Sequence, residues 1–504
     1  MEEQNREYQP SPDMEGFPVG VREAVFGVPI LGLGILCVNS LFFGGMNLGL
    51  ALGLLGSLGV TAGYLRWSGC KGNWYSRSLL VLSALISLGF ARSDDGFVKF
   101  VMACFLFVSI NLSLMIQSGQ IRADTGSAAS LREPFRGMFA LGFGKLGASF
   151  RGIRVAFATG GAAARNTGAV LVGLVVAVPV LAVMIPLLMR ADAAFEGLLD
   201  LLPEFNGFEL IPTVLYGGFL GCVLFTRGVA MKHHVPRPQA EKLQPKGIHA
   251  LTVNTTLTAV CVLYVVYMLS QLAYFVGGFS GILPEGYSLA EYARRGFFEM
   301  AWLCAIDLLI MTLGVYLTRK VRGRTPLYTR LACLFLGLVT LFFVLASGAK
   351  MVMYIGAYGM TRLRVLTMVI VFFMGLTTAV VSLWLFLPRL PYMRMVVLSA
   401  MILGGAVLWT DVDSLVAGYN VDAYLSGRLE TVDVHYLGSL GTGAVPQIAR
   451  LEQEASDPKV RKKAQHQLAV RDLGEGDFRS WNYTDHAALE YLPEKPADDR
   501  DTTD

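Results

Sequence analysis

Eleven apolar stretches divide this chain of 504 residues, and they constrain its fold more than any other feature. A helix rises about 1.5 Å per residue, so roughly 20 mainly apolar residues cross the hydrocarbon core of a bilayer. A mean hydropathy of +0.52 is typical of a membrane protein. The sequence therefore predicts an all-α fold, a polytopic transmembrane helix bundle with about 11 spans. The stretches cover residues 24–43, 46–65, 78–91, 97–116, 167–189, 210–230, 249–275, 296–318, 331–357, 361–387 and 395–410, of which the third is the shortest.

The charges of the connecting loops orient these spans. Four loops carry an excess of lysine and arginine and fall on one side if there are eleven spans; the positive-inside rule makes that side cytoplasmic. The opposite loop 190–209 holds five acids against Arg190 alone. The chain is therefore predicted to have its N-terminus inside and its C-terminus outside. One turn is an exception, because Arg362 and Arg364 lie on the outer side after the ninth span. The basic loops are residues 66–77, 119–166, 231–248 and 319–330.

Charge and hydropathy together divide the chain into six parts. From Asp411 onward 18 acids stand against 10 bases, a net charge of −8, so the preceding residues total +12. Those basic residues lie in short loops beside the membrane, which favours contact with anionic lipid headgroups over nucleic-acid binding. The parts are a cytoplasmic N-terminal tail (1–22), spans one to four (23–118), an inner interfacial segment (119–166), spans five to eleven (167–410), a small extracytoplasmic helical tail domain (411–492) and a disordered acidic end (493–504).

The inner segment carries a stripe of apolar residues at intervals of three and four. This spacing is typical of an amphipathic helix that lies in the membrane interface, although several glycines weaken it and suggest two short helices. Such a helix either senses lipid or a partner, or simply links two spans along the bilayer surface. The stripe consists of Phe135, Phe139, Phe143, Leu146, Phe150, Ile153 and Phe157.

The tail domain contains local signals for short helices. Asp457 followed by Pro458 is typical of a helix start, because aspartate caps and proline fits the first helical position. Pro446 marks the start of another helix, whose apolar face is Val445, Ile448 and Leu451. A small core is expected from one group of side chains, Tyr419, Tyr424, Tyr436, Leu437, Phe478 and Trp481.

The eighth span carries the most informative polar residues, Glu299 and Asp307. Ionisable groups inside a span are costly and are functional candidates by default. Asp307 lies near mid-bilayer, and Lys350 on the ninth span could match the depth of Glu299. One interpretation is a water-filled cavity that binds a polar or charged solute, with Asp307 coupling proton or cation movement. The other is interhelical hydrogen bonding, with Lys350 paired to one of the two acids. The expected cavity lining is Tyr264, Tyr267 and Gln271.

Motifs of known chemistry are missing from the sequence. There is no phosphate-binding G-x-x-x-x-G-K-[ST] loop, no H-E-x-x-H and no G-x-S-x-G. The seven cysteines have no spacing typical of a zinc or redox site. We therefore expect no cofactor, no metal and no enzymatic activity.

Two membrane stretches resemble motifs of a bacterial membrane-protein family catalogued as domain of unknown function 4173. They are residues 291–299 and 346–364, and residues 418–430, 443–446 and 479–482 of the tail are similar to its closing region. The family usually has arginine where this chain has Lys350. The resemblance implies a multi-pass protein of a bacterial cytoplasmic membrane and no particular activity. The motif positions are Arg294, Arg295, Glu299, Lys350, Tyr354, Tyr358, Thr361, Arg362 and Arg364.

These observations leave three hypotheses. The first is a permease-like secondary transporter of a polar or charged solute, with Asp307 and Glu299 for coupling or substrate charge and Lys350 and Arg362 as counter-charges. The second is a membrane scaffold or sensor whose external tail domain binds another protein. The third, an intramembrane enzyme acting on lipid-linked substrates, lacks a catalytic constellation. A lipid bilayer is the one partner common to all three.

Overall fold

A computed structural model describes residues 20–121, 133–144, 146–147, 184, 207–233, 248–279, 297–319, 325–471, 473 and 477–493. Within these ranges the fold is helical without a named strand, and nine helices are long and apolar enough to cross a membrane. The predicted fold class is therefore confirmed. The predicted fifth span, Arg294, Arg295, the N-terminal tail up to residue 19 and the acidic end from residue 494 lie outside the described residues.

The observed membrane helices match the predicted stretches to within a few residues. Their lipid-compatible faces carry large exposed apolar side chains such as Leu345 and Trp302, which a soluble protein would bury. The chain divides into two compact units, the first containing residues up to 237 together with 474–486, and the second the remainder. Helices of the first unit are α1 (Val21–Asn39, continued by a π-helical turn Ser40–Gly44), α2 (Leu48–Trp67), α3 (Trp74–Gly89), α4 (Gly96–Gln117), α5 (Glu133–Phe135, continued by a π-helix Arg136–Phe143) and α6 (Gly207–His233).

Glycines bring α1 and α6 of the first unit into close contact. A Cβ on Gly34 would lie 2.5 Å from the backbone N of Gly221, and one on Gly217 would lie 2.5 Å from the Cα of Ile35. Gly217 and Gly221 form a G-x-x-x-G spacing, which allows two helix backbones to approach closely inside a membrane. The two helices run antiparallel, because Asn39 bonds Thr213 at one end and Glu23 bonds Lys232 at the other.

Adding one methyl group at this contact should separate the two helices. We expect Gly217→Ala to lower the unfolding temperature of the full chain in detergent, since overpacking a close contact costs about 1–3 kcal/mol. Gly218→Ala is the matched control, because a Cβ there meets nothing within 4 Å. Equal unfolding temperatures for the two variants would contradict this packing.

The predicted interfacial segment is described only in part, at α5. Its stripe is present, since Phe135, Phe139 and Phe143 are all exposed on one side. However, Gly137 faces Met115 and Met231, while Phe143 contacts Phe219. The segment therefore runs along α4 and α6 and does not lie flat across their ends. The rest of the predicted segment lies outside the described residues, so its position in the membrane interface stays a prediction.

Within its described residues, the second unit combines five membrane helices with a small helical domain. The membrane helices are α7 (Ala250–Phe279), α8 (Phe297–Leu317), α9 (Leu327–Tyr358), α10 (Arg362–Phe386) and α11 (Tyr392–Thr410). Asp411 adopts a left-handed conformation (φ 53°) and makes the corner into the C-terminal domain. That domain contains α12 (Val412–Leu425), α13 (Val434–Ser439), a 3₁₀ turn (Thr442–Ala444), α14 (Val445–Glu454) and α15 (Pro458–Ala469). A final helix, α16 (Tyr483–Ala488), begins in the residues of the first unit, and the chain after it enters a 3₁₀ turn (Leu489–Tyr491) of the second unit.

The C-terminal domain has a well-packed apolar core. Val445, Ile448 and Leu451 are fully buried, as their spacing predicts. Asp457 caps α15 by accepting a hydrogen bond from the Lys459 N–H, which confirms the predicted helix start. The expected aromatic core is only partly correct. Tyr424, Tyr436 and Leu437 pack in or against the core, whereas Phe478 and Trp481 are exposed and belong to the first unit.

Candidate functional site

Asp307 is at the centre of a buried hydrogen-bond network in the second unit. Its carboxyl group lies halfway along α8 and is completely buried. Tyr264 on α7 donates to Asp307 Oδ1 at 2.8 Å, and the Thr340 hydroxyl on α9 lies 2.9 Å from Oδ2. Both carboxyl oxygens therefore have partners. Two of the predicted site residues, Asp307 and Tyr264, are brought together, while Thr340 gave no signal in the sequence.

A count of hydrogens favours the neutral acid at Asp307. The Thr340 hydroxyl has one hydrogen, yet it also lies 2.8 Å from the Leu336 carbonyl oxygen, which can only accept. If Thr340 donates to Leu336, Asp307 must donate to Thr340, and this requires a protonated carboxyl group. The neutral form suits a carboxyl group with no cation among its bonded partners in the described residues. The network is then fully satisfied without water.

The residues expected to line a cavity pack against an aromatic ring. Tyr264 and Tyr267 each place their ring centroids 5.7 Å from that of Phe343. The side chain of Gln271 lies outside the described residues. A shallow groove of about 560 Å³ does open between α7 and α9, but it contains no residue of the Asp307 network. Its lining is Leu251, Asn254, Thr255, Thr258, Ala259 and Tyr328.

Glu299 and Lys350 form a second, separate group. They lie on α8 and α9, and the carboxylate acts electrostatically on the Lys350 ammonium group. Neither of them belongs to the Asp307 network. The interpretation that pairs Lys350 with an acid of α8 therefore fits Glu299 and does not fit Asp307.

Arg362 joins the membrane helices to the C-terminal domain. It is the first residue of α10, and its guanidinium group holds Asp413 of α12 with two parallel hydrogen bonds, one of them 2.7 Å from Nε to Oδ1. The Asp413 side chain is 3% exposed, and it also accepts from the Gly441 N–H at 2.7 Å. The Arg362 N–H donates to the Tyr436 hydroxyl at 2.9 Å. This arginine, an exception to the loop charges, thus faces an acid of its own chain.

The remaining motif residues shape the turn between α9 and α10. Arg364 stacks over the Tyr354 ring at 4.1 Å and donates to the carbonyl oxygens of Tyr358 and Gly359. Thr361 caps α10 by accepting from the Arg364 N–H at 3.3 Å. These contacts satisfy carbonyl groups at the end of α9, where the last carbonyl groups of a helix have no N–H partners within the helix. These motif residues therefore stabilise the turn between α9 and α10.

Asn420 of α12 binds this turn from the domain side. It accepts from the Met360 N–H at 2.7 Å and donates to the Met360 carbonyl oxygen at 2.8 Å. Gly359 has φ +76°, and a Cβ there would lie 2.5 Å from the Asn420 Oδ1. A glycine is therefore required for both conformation and space. Together with Arg362, these contacts hold the domain at the ends of α9 and α10.

In the first unit, residues 477–486 form a strap over helix ends. Arg479 donates to Asn39 and Glu209, each at 2.9 Å, and its carbonyl oxygen accepts from the Gly49 N–H. The hydrogen bond to Glu209 raises the pKa of Arg479 above its ordinary value, so the guanidinium stays charged. Asn482 donates to the Ser93 carbonyl oxygen at 2.7 Å. The motif at residues 479–482 thus serves to fasten the strap.

Buried charges at the opposite end of the first unit were not predicted as a site. Glu23 is 4% exposed and is bonded by Lys232 and by the Tyr64 hydroxyl at 3.0 Å. Arg227, also 4% exposed, donates to Asn111 Oδ1 at 3.0 Å. An arginine inside the predicted sixth span was the signal that could have drawn attention to this region. No cluster of three or more metal-ligating side chains is present among the described residues.

Comparison with known proteins identifies one family. The sequence model of domain of unknown function 4153 (DUF4153) matches residues 80–451. The number 4173 expected from the motifs is therefore wrong, whereas an uncharacterised family is confirmed. No curated protein and no solved structure matches the chain.

Proposed function

The chain belongs to the DUF4153 family, and we propose that this integral membrane protein is a scaffold or sensor whose C-terminal helical domain binds a partner macromolecule. The observation that carries the proposal is the way in which the domain is held. Arg362, Tyr436 and Asn420 bond it to the ends of two membrane helices, and Asp413 is buried in the junction. A domain fixed in this way can transmit a binding event to the helices, or hold its partner at a defined place.

The orientation of the domain is part of the proposal. Arg22, Lys232 and the basic 66–77 loop lie at one end of the first unit, where Arg22 stacks on Trp67. The positive-inside rule would place that end in the cytoplasm. In the second unit the domain follows α11, and with eleven spans it would lie on the external side.

Transport remains a second candidate because Asp307 is an acid at mid-helix depth. Proton-coupled carriers use such groups, which take up and release a proton as access alternates. The complete burial and full bonding of Asp307 weigh against an open solute path. The scaffold or sensor function is therefore the better supported of the two.

Site-specific photo-crosslinking in cells tests the proposal. A photoreactive residue at an exposed position of the domain, such as Gln465 or Thr431, should give a discrete adduct with the full chain. We expect the same adduct with Asp307→Asn. An adduct-free domain, combined with solute uptake that Asp307→Asn abolishes, would contradict the proposal and favour transport.

A further inference from the structure

Helix α15 carries three lysines and a histidine on one face. Lys459, Lys462, Lys463 and His466 stand at positions i, i+3, i+4 and i+7, and all four are exposed. This spacing places them on a single side of a helix. The opposite side holds Ala464 and Leu468, which are buried in the domain core. We call the four residues the cationic face.

Among the described residues, the cationic face has no ion pair with an acid, although the domain is rich in acids. Two arginines of the domain are already engaged, and a third, Arg461, is exposed on α15 outside this face. Arg450 pairs with Asp422 and Glu454, and Arg471 donates to main-chain carbonyl groups. The part of the chain from Asp411 onward has a net charge of −8, so this group of lysines differs in sign from the net charge of its own domain.

The cationic face points away from the contacts between the C-terminal domain and the ends of α9 and α10. Helix α15 packs against α13 and α14, and the cations lie on the side away from these contacts. Since α13 provides Tyr436 to the junction with α10, the face is directed away from the junction. The bilayer that the chain spans is therefore not the partner we favour.

The composition of the face indicates the chemistry of the partner. It contains no aromatic or large aliphatic side chain, whereas the cores of protein interfaces are enriched in tyrosine, tryptophan and arginine and depleted in lysine. Base stacking on single-stranded nucleic acid also needs aromatic side chains. Lysine ammonium groups bind phosphate groups as point charges. The four residues extend over about 10 Å of helix, a length that meets several charges of a closely charged chain.

We propose that the cationic face binds a linear polyanion bearing repeated phosphate groups. This inference rests on the proposed function and names the partner class of the same domain. Binding of this kind releases counterions, so affinity should fall steeply as salt is added. Binding would depend on the charge density of the polyanion and not on the order of its units.

The test uses the full chain in nanodiscs of zwitterionic lipid, with fluorescently labelled inorganic polyphosphate as the probe. We expect binding that weakens with salt. Replacing Lys462 and Lys463 together by glutamine should lower the affinity about tenfold at low salt and reduce the salt slope by roughly 1.5. The matched control is Thr431→Glu with His435→Glu, which removes the same net charge at other exposed positions and should change affinity much less.

Several outcomes would overturn the inference. These are no binding of polyphosphate, an equal loss in the control variant, or binding that the glutamine pair leaves unchanged. Protection of Lys462 and Lys463 from amine-reactive labelling only in nanodiscs of anionic lipid would assign the face to a lipid surface instead. A crosslinked adduct of the domain together with no binding of polyphosphate would retain the proposed function and contradict the polyanion. The two failures are therefore distinguishable.

Discussion

Replacing Arg362 with alanine is expected to release the C-terminal domain from the end of α10. The substitution leaves Asp413, 3% exposed, as a buried carboxylate without its cation. Breaking a buried ion pair on one side typically costs about 3–5 kcal/mol. Hydrogen exchange measured on the full chain in detergent should therefore show faster exchange in α12 and in the turn between α9 and α10, with the membrane helices of the first unit unchanged.

Three further variants separate the ion pair from a general effect of charge. Arg461→Ala removes an exposed arginine of α15 and should leave exchange in α12 unchanged. Arg362→Lys keeps the charge but loses the planar fork, so an intermediate effect is expected. Asp413→Asn combined with Arg362→Ala should recover part of the loss, because no buried charge is left uncompensated. Unchanged exchange in Arg362→Ala would show that Asn420 and the domain core hold the junction alone.

The sequence allowed most of the membrane helices to be predicted, because length and hydropathy together decide whether a segment crosses a bilayer. The start of α15 was also predictable, since Asp457 and Pro458 act on their own neighbouring N–H groups. The third stretch is the shortest, and it forms a 16-residue helix beside α4, with Ser83 Oγ 2.9 Å from Ser109 Oγ.

The partners of polar residues were much harder to predict than the helices. Arg362 was recognised as an exception to the loop charges, yet Asp413 lies 51 positions further along the chain. Asp307 was identified as a costly buried acid, but its partner Thr340 gave no signal, because a threonine within an apolar helix is common and bonds its own backbone. Such pairings depend on how helices are rotated about their axes, and hydropathy does not encode this rotation.

The glycines that make helix contacts were equally hard to predict. The chain has 55 glycines, and their number indicates close helix packing without saying which of them make contacts. Gly217 allows the Ile35 backbone to approach, whereas its neighbour Gly218 has open space. The two differ only in the side of α6 on which they lie.

Asp307→Asn is expected to fold and to be nearly as stable as the parent chain, whereas Asp307→Ala should be strongly destabilised. Asparagine can accept from Tyr264 through Oδ1 and donate to Thr340 through Nδ2, so it reproduces the hydrogen bonds of the neutral acid. Alanine leaves the buried Tyr264 hydroxyl without its acceptor and opens a small cavity. An unsatisfied buried polar group costs about 1–3 kcal/mol, and the cavity adds to this.

The unfolding temperature of the purified full chain, followed with a thiol-reactive dye, measures the stability of both variants. Thr312→Ser serves as the control, because it changes an exposed hydroxyl group of the same helix. A stable Asp307→Asn chain that keeps its photo-crosslinked adduct would establish Asp307 as a structural acid that holds α7, α8 and α9 together. If Asp307→Asn is as unstable as Asp307→Ala, the carboxyl group is ionised and the hydrogen count above is wrong. If it is stable but inactive in a solute-uptake assay, the proton on Asp307 is part of a transport cycle, and the scaffold or sensor proposal fails.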